Sequence, residues 1–439
     1  MNIPFRRTLF FFSLLAASTA NASDFFFHDG DRVVFLGDSI TEQRLYTTYI
    51  EAYALTRFPE WKLTFRNAGW SGDTSWLRNR FHTDEAKLFA ADEPGQQQMI
   101  ETAVASGLGR DVLPLQPTAV TIDFGMNDHL YQAFRPDVFR AYVRSETQLT
   151  KVLKDHGARV ALLTPQPIED HRPDPDRDMR NQSLQKFADG LSGVATNNGA
   201  LFVDQFGPYM AIMLRERAAN SNAFVGAGDA IHPGPAGHTI MAWAILKGLG
   251  APSLVSSANI DGVHGKIVTA AGCKISGLNV VGGVVSFDRL DQALPMPIAH
   301  KAEPALHLVP ILDDLSRYEL QVTGLPAATY ELTIDGVAAG TFTAEQLANG
   351  CNLAVAPGPI TDQAQHVFQL VFDKNVAYFN RWRTVQLFQL PDWANGPEVE
   401  EKRNAEIARR DRQIADLEAG IDAARQPKPH HFELKPAAK

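Results

Sequence analysis

From Asp31 to Gly250 the chain alternates short apolar runs with longer stretches of helical character, and this alternation constrains the fold more than any other feature. Residues 32–36, 62–66, 119–124, 159–164 and 201–204 read as strands, and 42–57, 136–156, 179–197 and 235–249 as helices. Strands joined through helices pair in parallel, and a parallel sheet buries both of its faces. The expected fold is α/β, a three-layer α/β/α flavodoxin-like sandwich spanning residues 23–250. One interval breaks the rhythm. Residues 77–115 form a long insertion after the second strand, with a helix expected over 96–106, positioned to wall or cap a pocket.

Beyond residue 250 the texture changes. Residues 251–358 are rich in Gly, Val and Thr, and the alternation at 318–322, 329–334 and 340–343 predicts a β-rich accessory module. Residues 359–426 predict a helical hairpin. Ala364, Val367, Phe368, Val371, Phe372, Phe379 and Trp382 recur at helical spacing, and Ile407, Ile414 and Ile421 lie seven apart. Three heptads form a narrow seam, so packing on its own chain is the first expectation and self-association through these helices the second. Residues 427–439 read as a tail.

The amino terminus reads as a secretion signal. Arg6 and Arg7 precede an apolar run over 9–17, and Ala20-Asn21-Ala22 suits cleavage after Ala22. That run is shorter than the about 20 residues a membrane span needs, so residues 1–22 predict a periplasmic or secreted protein without stable membrane insertion. A formal charge of −9, with no basic cluster, argues against a nucleic-acid partner. Export permits a disulfide between Cys273 and Cys351, with two buried free thiols as the alternative. No metal-ligand spacing such as His-Glu-x-x-His occurs, and neither a metal nor a cofactor is expected.

Four short signals inside the α/β region carry the chemistry: Gly37-Asp38-Ser39-Ile40-Thr41, Asn67 to Ser75, Gly125-Met126-Asn127-Asp128, and Asp229-Ala230-Ile231-His232-Pro233. Three of them directly follow expected strands, so a parallel sheet gathers them along its carboxyl edge. Taken alone, Ser39 reads equally well as the cap of the next helix. With the others present it reads as a nucleophile, His232 as its base and Asp229 as the acid that orients the imidazole. An ester carbonyl under attack needs donors for its oxygen. The Ser39 N–H, the Gly72 N–H and the Asn127 side-chain amide suit that role.

These blocks, in the order Ser, Gly, Asn, His, resemble the SGNH superfamily of hydrolases, the GDSL-type esterases and lipases. The resemblance covers residues 31–250, with Ile40 where the eponymous motif has leucine. It implies that Ser39, Asp229 and His232 are catalytic and that Ser39, Gly72 and Asn127 form the oxyanion hole. Asp38, Trp70, Asp73 and His129 are further candidates for contact with substrate, whereas His238 and Trp76 read at least as well as structural residues. The expected activity is that of a secreted serine esterase which deacetylates a carbohydrate or cell-envelope glycan. The alternatives are a lipase or lysophospholipase on the same triad, and a non-catalytic glycan-binding protein.

Overall fold

A computed structural model describes residues 25–437 apart from 171 and 173, so the expected signal segment, 1–22, lies outside the described residues. Strands β1 (Arg32–Gly37), β2 (Thr64–Gly69), β3 (Ala119–Asp123), β4 (Arg159–Leu163) and β5 (Leu201–Val203) form one parallel sheet. Their order, β2-β1-β3-β4-β5, is the flavodoxin-like one expected from the sequence. Alternation along β1 sends Val33 and Phe35 to one face and Val34 and Leu36 to the other, and all four are buried. Burying each such side chain contributes about 1.5–3 kcal/mol, which is why a sheet with two apolar faces settles between two helical layers.

On the Val33 face lie the helices Leu45–Arg57, Phe206–Ala219 and Pro235–Gly248; on the Val34 face lie Glu93–Asp111, Pro136–Asp155 and much of Met179–Asn198. Phe206–Ala219 is absent from the sequence expectation because its apolar residues crowd its first half instead of following a stripe. The helix expected over 42–57 is two helices, Ser39–Glu42 and Leu45–Arg57, parted at Arg44, whose φ is 63°. Residues 77–115 wall a surface cleft only in part, through Asn79, Arg80, His82 and Arg110. They form the crossover from β2 to β3, with Leu88, Ile100, Val104 and Leu108 buried against the sheet.

The C-terminal residues build two further sheets. One has the order β13-β10-β6-β7, from Cys351–Asn352, Arg317–Thr323, Leu254–Asp261 and Lys266–Ala271. The other has the order β12-β11-β14-β9-β8, from Val337–Thr343, Thr329–Ile334, Pro429–Pro436, Val284–Asp291 and Cys273–Val281. Residues 427–439, expected to be a tail, thus supply the middle strand of that sheet. The side chains of Phe432 and Leu434 are fully buried there. Cys273 and Cys351 are both free thiols.

The hairpin helices Pro359–Phe379 and Pro397–Ala424 pack on each other and on the α/β domain. Lys374 Nζ meets Glu51 Oε1 at 2.6 Å, and Asn375 Nδ2 donates to Glu51 Oε2 at 3.0 Å, all buried. Removing one partner of such a pair typically destabilises by about 3–5 kcal/mol, so this contact fixes the hairpin's seat. The core on the Val33 face runs on without a break into the C-terminal module and the hairpin.

Candidate active site

Register brings the site together. Gly37 at the end of β1 pairs with Gly69 of β2 and with Asp123 of β3, so the loops that follow these three neighbouring strands leave the sheet at one level. At Gly37 a Cβ would lie 2.2 Å from Thr41 Oγ1 and 2.7 Å from the Asp123 carbonyl, so only glycine lets the next helix start this close to the strand.

Asp38, and not Ser39, caps that helix, its Oδ1 accepting from Ile40 N–H at 2.9 Å. Ser39 is the first helical residue, so its own N–H has no acceptor in the helix. The Asp38 carboxyl is buried. Burial first, and then the nearby Asp123 charge, push its pKa well above the usual carboxylate range.

The Ser39 Oγ lies 2.9 Å from His232 Nε2, and His232 Nδ1 lies 3.1 Å from Asp229 Oδ2. The Asp229-to-His232 turn is locally determined: Asp229 Oδ1 accepts from the N–H groups of Ile231 and His232 at 2.8 and 2.7 Å. Burial alone would raise the Asp229 pKa, but these N–H groups and the His232 imidazole outweigh it and hold the carboxyl below its ordinary value. The loop carrying the turn is stapled by Glu169, whose two oxygens accept from Val225 and Gly226 N–H at 2.6 Å each. Glu169 lies far from the motifs in sequence and no spacing signals it.

Gly72 has φ 71°, and its carbonyl is held by Arg78 Nη2 at 2.6 Å. Asn127 is buried; its Nδ2 donates to the Asp73 carbonyl at 2.9 Å and lies 3.3 Å from Asp38 Oδ2. Its Oδ1 accepts from Tyr131 O–H at 2.6 Å, which fixes the direction of the amide. Tyr131 has a left-handed φ of 56°, and neither the asparagine block nor any periodicity points to it.

Of the expected substrate contacts, Asp73 and His129 are packed in the interior, whereas Trp70 is half-buried. The Asp73 side chain is fully buried against Arg80, whose Nε is 3.1 Å from Asp73 Oδ2. Arg80 also meets Asp111 at 3.3 Å. His129 is only 2% exposed, its Nδ1 lies 3.3 Å from the Gly125 carbonyl, and burial pushes its pKa down to about 4. Trp70 is half-buried, with the Arg383 guanidinium 3.8 Å from its ring centre and those of Arg80 and Arg110 at 5.2 Å. Trp76 is core, and His238 is buried with its Nε2 2.8 Å from Gln43 Oε1.

Comparison with known proteins agrees with this architecture. Residues 35–240 match the model of the GDSL-like Lipase/Acylhydrolase family. An acetylxylan esterase of Geobacillus stearothermophilus is 25% identical over 246 residues, which cover 50% of this chain and 94% of that protein. The solved structure of a gut microbial diltiazem-metabolizing enzyme superposes with a TM-score of 0.75 at 24% identity, covering 94% of this chain and 98% of the other. The shared fold therefore includes the C-terminal module and hairpin as well as the α/β sandwich.

Proposed function

We propose that this serine ester hydrolase, whose residues 35–240 match the GDSL-like lipase/acylhydrolase model, works through Ser39, His232 and Asp229 on acetylated carbohydrate. The observation that carries the reading is the 2.9 Å contact between Ser39 Oγ and His232 Nε2, across 193 residues of sequence. With Asp229 accepting from Nδ1–H, Nε2 holds the lone pair that takes the serine proton.

Ser39 Oγ attacks the ester carbonyl, and the charge that develops on its oxygen is met by the Ser39 and Gly72 N–H groups and the Asn127 amide. Asn127 gives up its long contact with Asp38 to do so, while Tyr131 keeps the amide oxygen turned away. His232 then protonates the leaving alcohol. A water activated by the same imidazole hydrolyses the acyl-enzyme, returning Ser39 and releasing the acid.

Acetyl as the acyl group and carbohydrate as the alcohol are supported by the likeness to an acetylxylan esterase. The test is acetate release from a panel of acetylated polysaccharides and peptidoglycan, run beside a chain-length series of p-nitrophenyl esters. Acetate release with a short-chain preference is expected; a preference for long acyl chains would sink the deacetylase reading. Residues 1–22 are read as a signal removed on export, and an exported protein beginning at Ser23 is the expected result of N-terminal sequencing.

A further inference from the structure

A cleft of about 600 Å³ lies beside the Ser71–Gly72 loop. Both halves of the chain build it: Trp70, Arg80 and Arg110 come from the α/β domain, and Arg383, Phe388 and Arg403 from the hairpin. Its described lining includes four arginines and no carboxylate. The acids that balance them stand behind or beside the wall: Asp73 and Asp111 are fully buried against Arg80, Glu42 lies 3.4 Å from Arg383, and Glu400 lies 3.0 Å from Arg403. Arg383 is the least satisfied. Its side chain is 19% exposed and held over Trp70, and its buried Nη1 has only the long 3.4 Å ion pair with Glu42, without hydrogen-bond geometry.

The cleft shares a wall with the site. Glu42, three residues after Ser39, accepts the Ser71 N–H with one carboxylate oxygen and faces Arg383 with the other. Asn79, which also lines the cleft, donates to the Ser71 carbonyl at 2.9 Å, and its Nδ2 lies 2.6 Å from where a Cβ on Gly72 would sit. Asn79 thus joins the Ser71–Gly72 loop to the cleft and its arginines.

We propose that this cleft binds an oxyanion, a carboxylate or a sulfate, carried by the glycan whose ester is cleaved, so that the substrate class is an acidic acetylated glycan. The inference rests on the esterase reading above. Guanidinium groups bind such planar or three-oxygen anions through paired hydrogen bonds, and in a partly buried cleft those bonds are screened less than at an open surface. Phe388, which lines the cleft and is 56% exposed, adds an aromatic face of the kind on which sugar rings stack.

Binding by the full-length Ser39→Ala protein tests this without turnover. Titration calorimetry compares three ester-free oligosaccharides of equal length: neutral, uronic-acid-bearing and sulfated. At least one acidic oligosaccharide should bind about ten-fold more tightly than the neutral one at low salt, with the advantage shrinking at high salt. The uronate and sulfate arms tell which oxyanion the cleft takes. Adding Arg110→Gln and Arg383→Gln should remove the advantage; Arg403→Gln alone, which leaves the buried Arg80 network untouched, should reduce it. Equal affinity for all three ligands overturns the proposal, and so does inorganic sulfate binding as tightly as the sulfated sugar. The unmodified protein's failure to hydrolyse p-nitrophenyl acetate would overturn the esterase reading instead, and the calorimetry would still stand or fall by itself.

Discussion

The chain contains the same turn twice. In Asp229-Ala-Ile-His232 and in Asp261-Gly-Val-His264 the aspartate Oδ1 accepts the N–H groups two and three residues on, while Oδ2 meets the histidine Nδ1, at 3.1 Å in the first and 2.8 Å in the second. Both aspartates are held below the usual carboxylate range, Asp261 chiefly by the His264 hydrogen bond. Locally the two are interchangeable. They differ in what the fold delivers to Nε2: Ser39 at the carboxyl end of β1 for His232, and solvent for His264, whose side chain is 75% exposed in the β6–β7 connection. An Asp-x-x-His turn is thus four residues of local chemistry, and its use in catalysis is decided by a sheet register set almost 200 residues away.

Substitution breaks this comparison most sharply at the imidazoles. His232→Ala and Ser39→Ala should each lower kcat/KM for p-nitrophenyl acetate by roughly 10⁴-fold or more, whereas His264→Ala should leave it within about two-fold. An active His232→Ala enzyme would refute the proposed mechanism. Next come the donors that Ser39 has beside it and His264 lacks. Asn127→Ala should reduce kcat by roughly 10²–10³-fold with little change in KM.

Asp229→Asn should lower kcat by about 10²-fold, less than the serine or histidine change because the carboxylate is largely solvent-exposed, and Asp261→Asn should lower it not at all. Equal losses in the two asparagine variants would mean that both turns act structurally. Tyr131→Phe removes one neutral hydrogen bond to Asn127, so kcat should fall about three- to ten-fold at unchanged KM. A change in KM alone would assign Tyr131 to substrate contact instead.

The smallest effect is on stability and pH. Stability from Asp229 and Asp261, whose pKa values are depressed, is present above the ordinary carboxylate pKa and lost only as the pH falls through the depressed ones. Asp123 behaves in the opposite way. Burial pushes its pKa up to about 7, and its Oδ2 has no hydrogen-bond partner. Between the ordinary value and about 7 the unfolded chain sheds a proton that the native state keeps, so stability falls as pH rises through that window. Asp128, raised by burial to about 6, adds to the same fall. Asp123→Asn should therefore narrow the drop in Tm between pH 5 and pH 8; identical Tm differences in variant and parent would exclude Asp123 as a source.

The sandwich was legible because its signals are local. The apolar runs alternate onto two faces, and the motifs stand where those runs stop, so strand order and the Ser39, Gly72, Asn127 and His232 loops follow from short windows. What escaped is held by distant contacts. Asp73 looks like a polar loop residue until Arg80 closes on it, and His129 looks exposed until helices cover it. Residues 429–436 carry five prolines, lysines or histidines against two large apolar groups and read as a tail, yet Phe432 stacks on Phe287 at 5.2 Å across the sheet. A partner so far off in sequence leaves no periodic trace.

That strand also sets a clock on synthesis. β14 pairs with β9 on one side and β11 on the other, and Pro429 comes 138 positions after Asp291. At about 5–20 residues per second, the β9 edge waits roughly 7–30 s before its partner is made. Throughout that interval it presents unpaired backbone groups to any other extended chain, so the nascent protein is most exposed to aggregation while the hairpin helices are being translated.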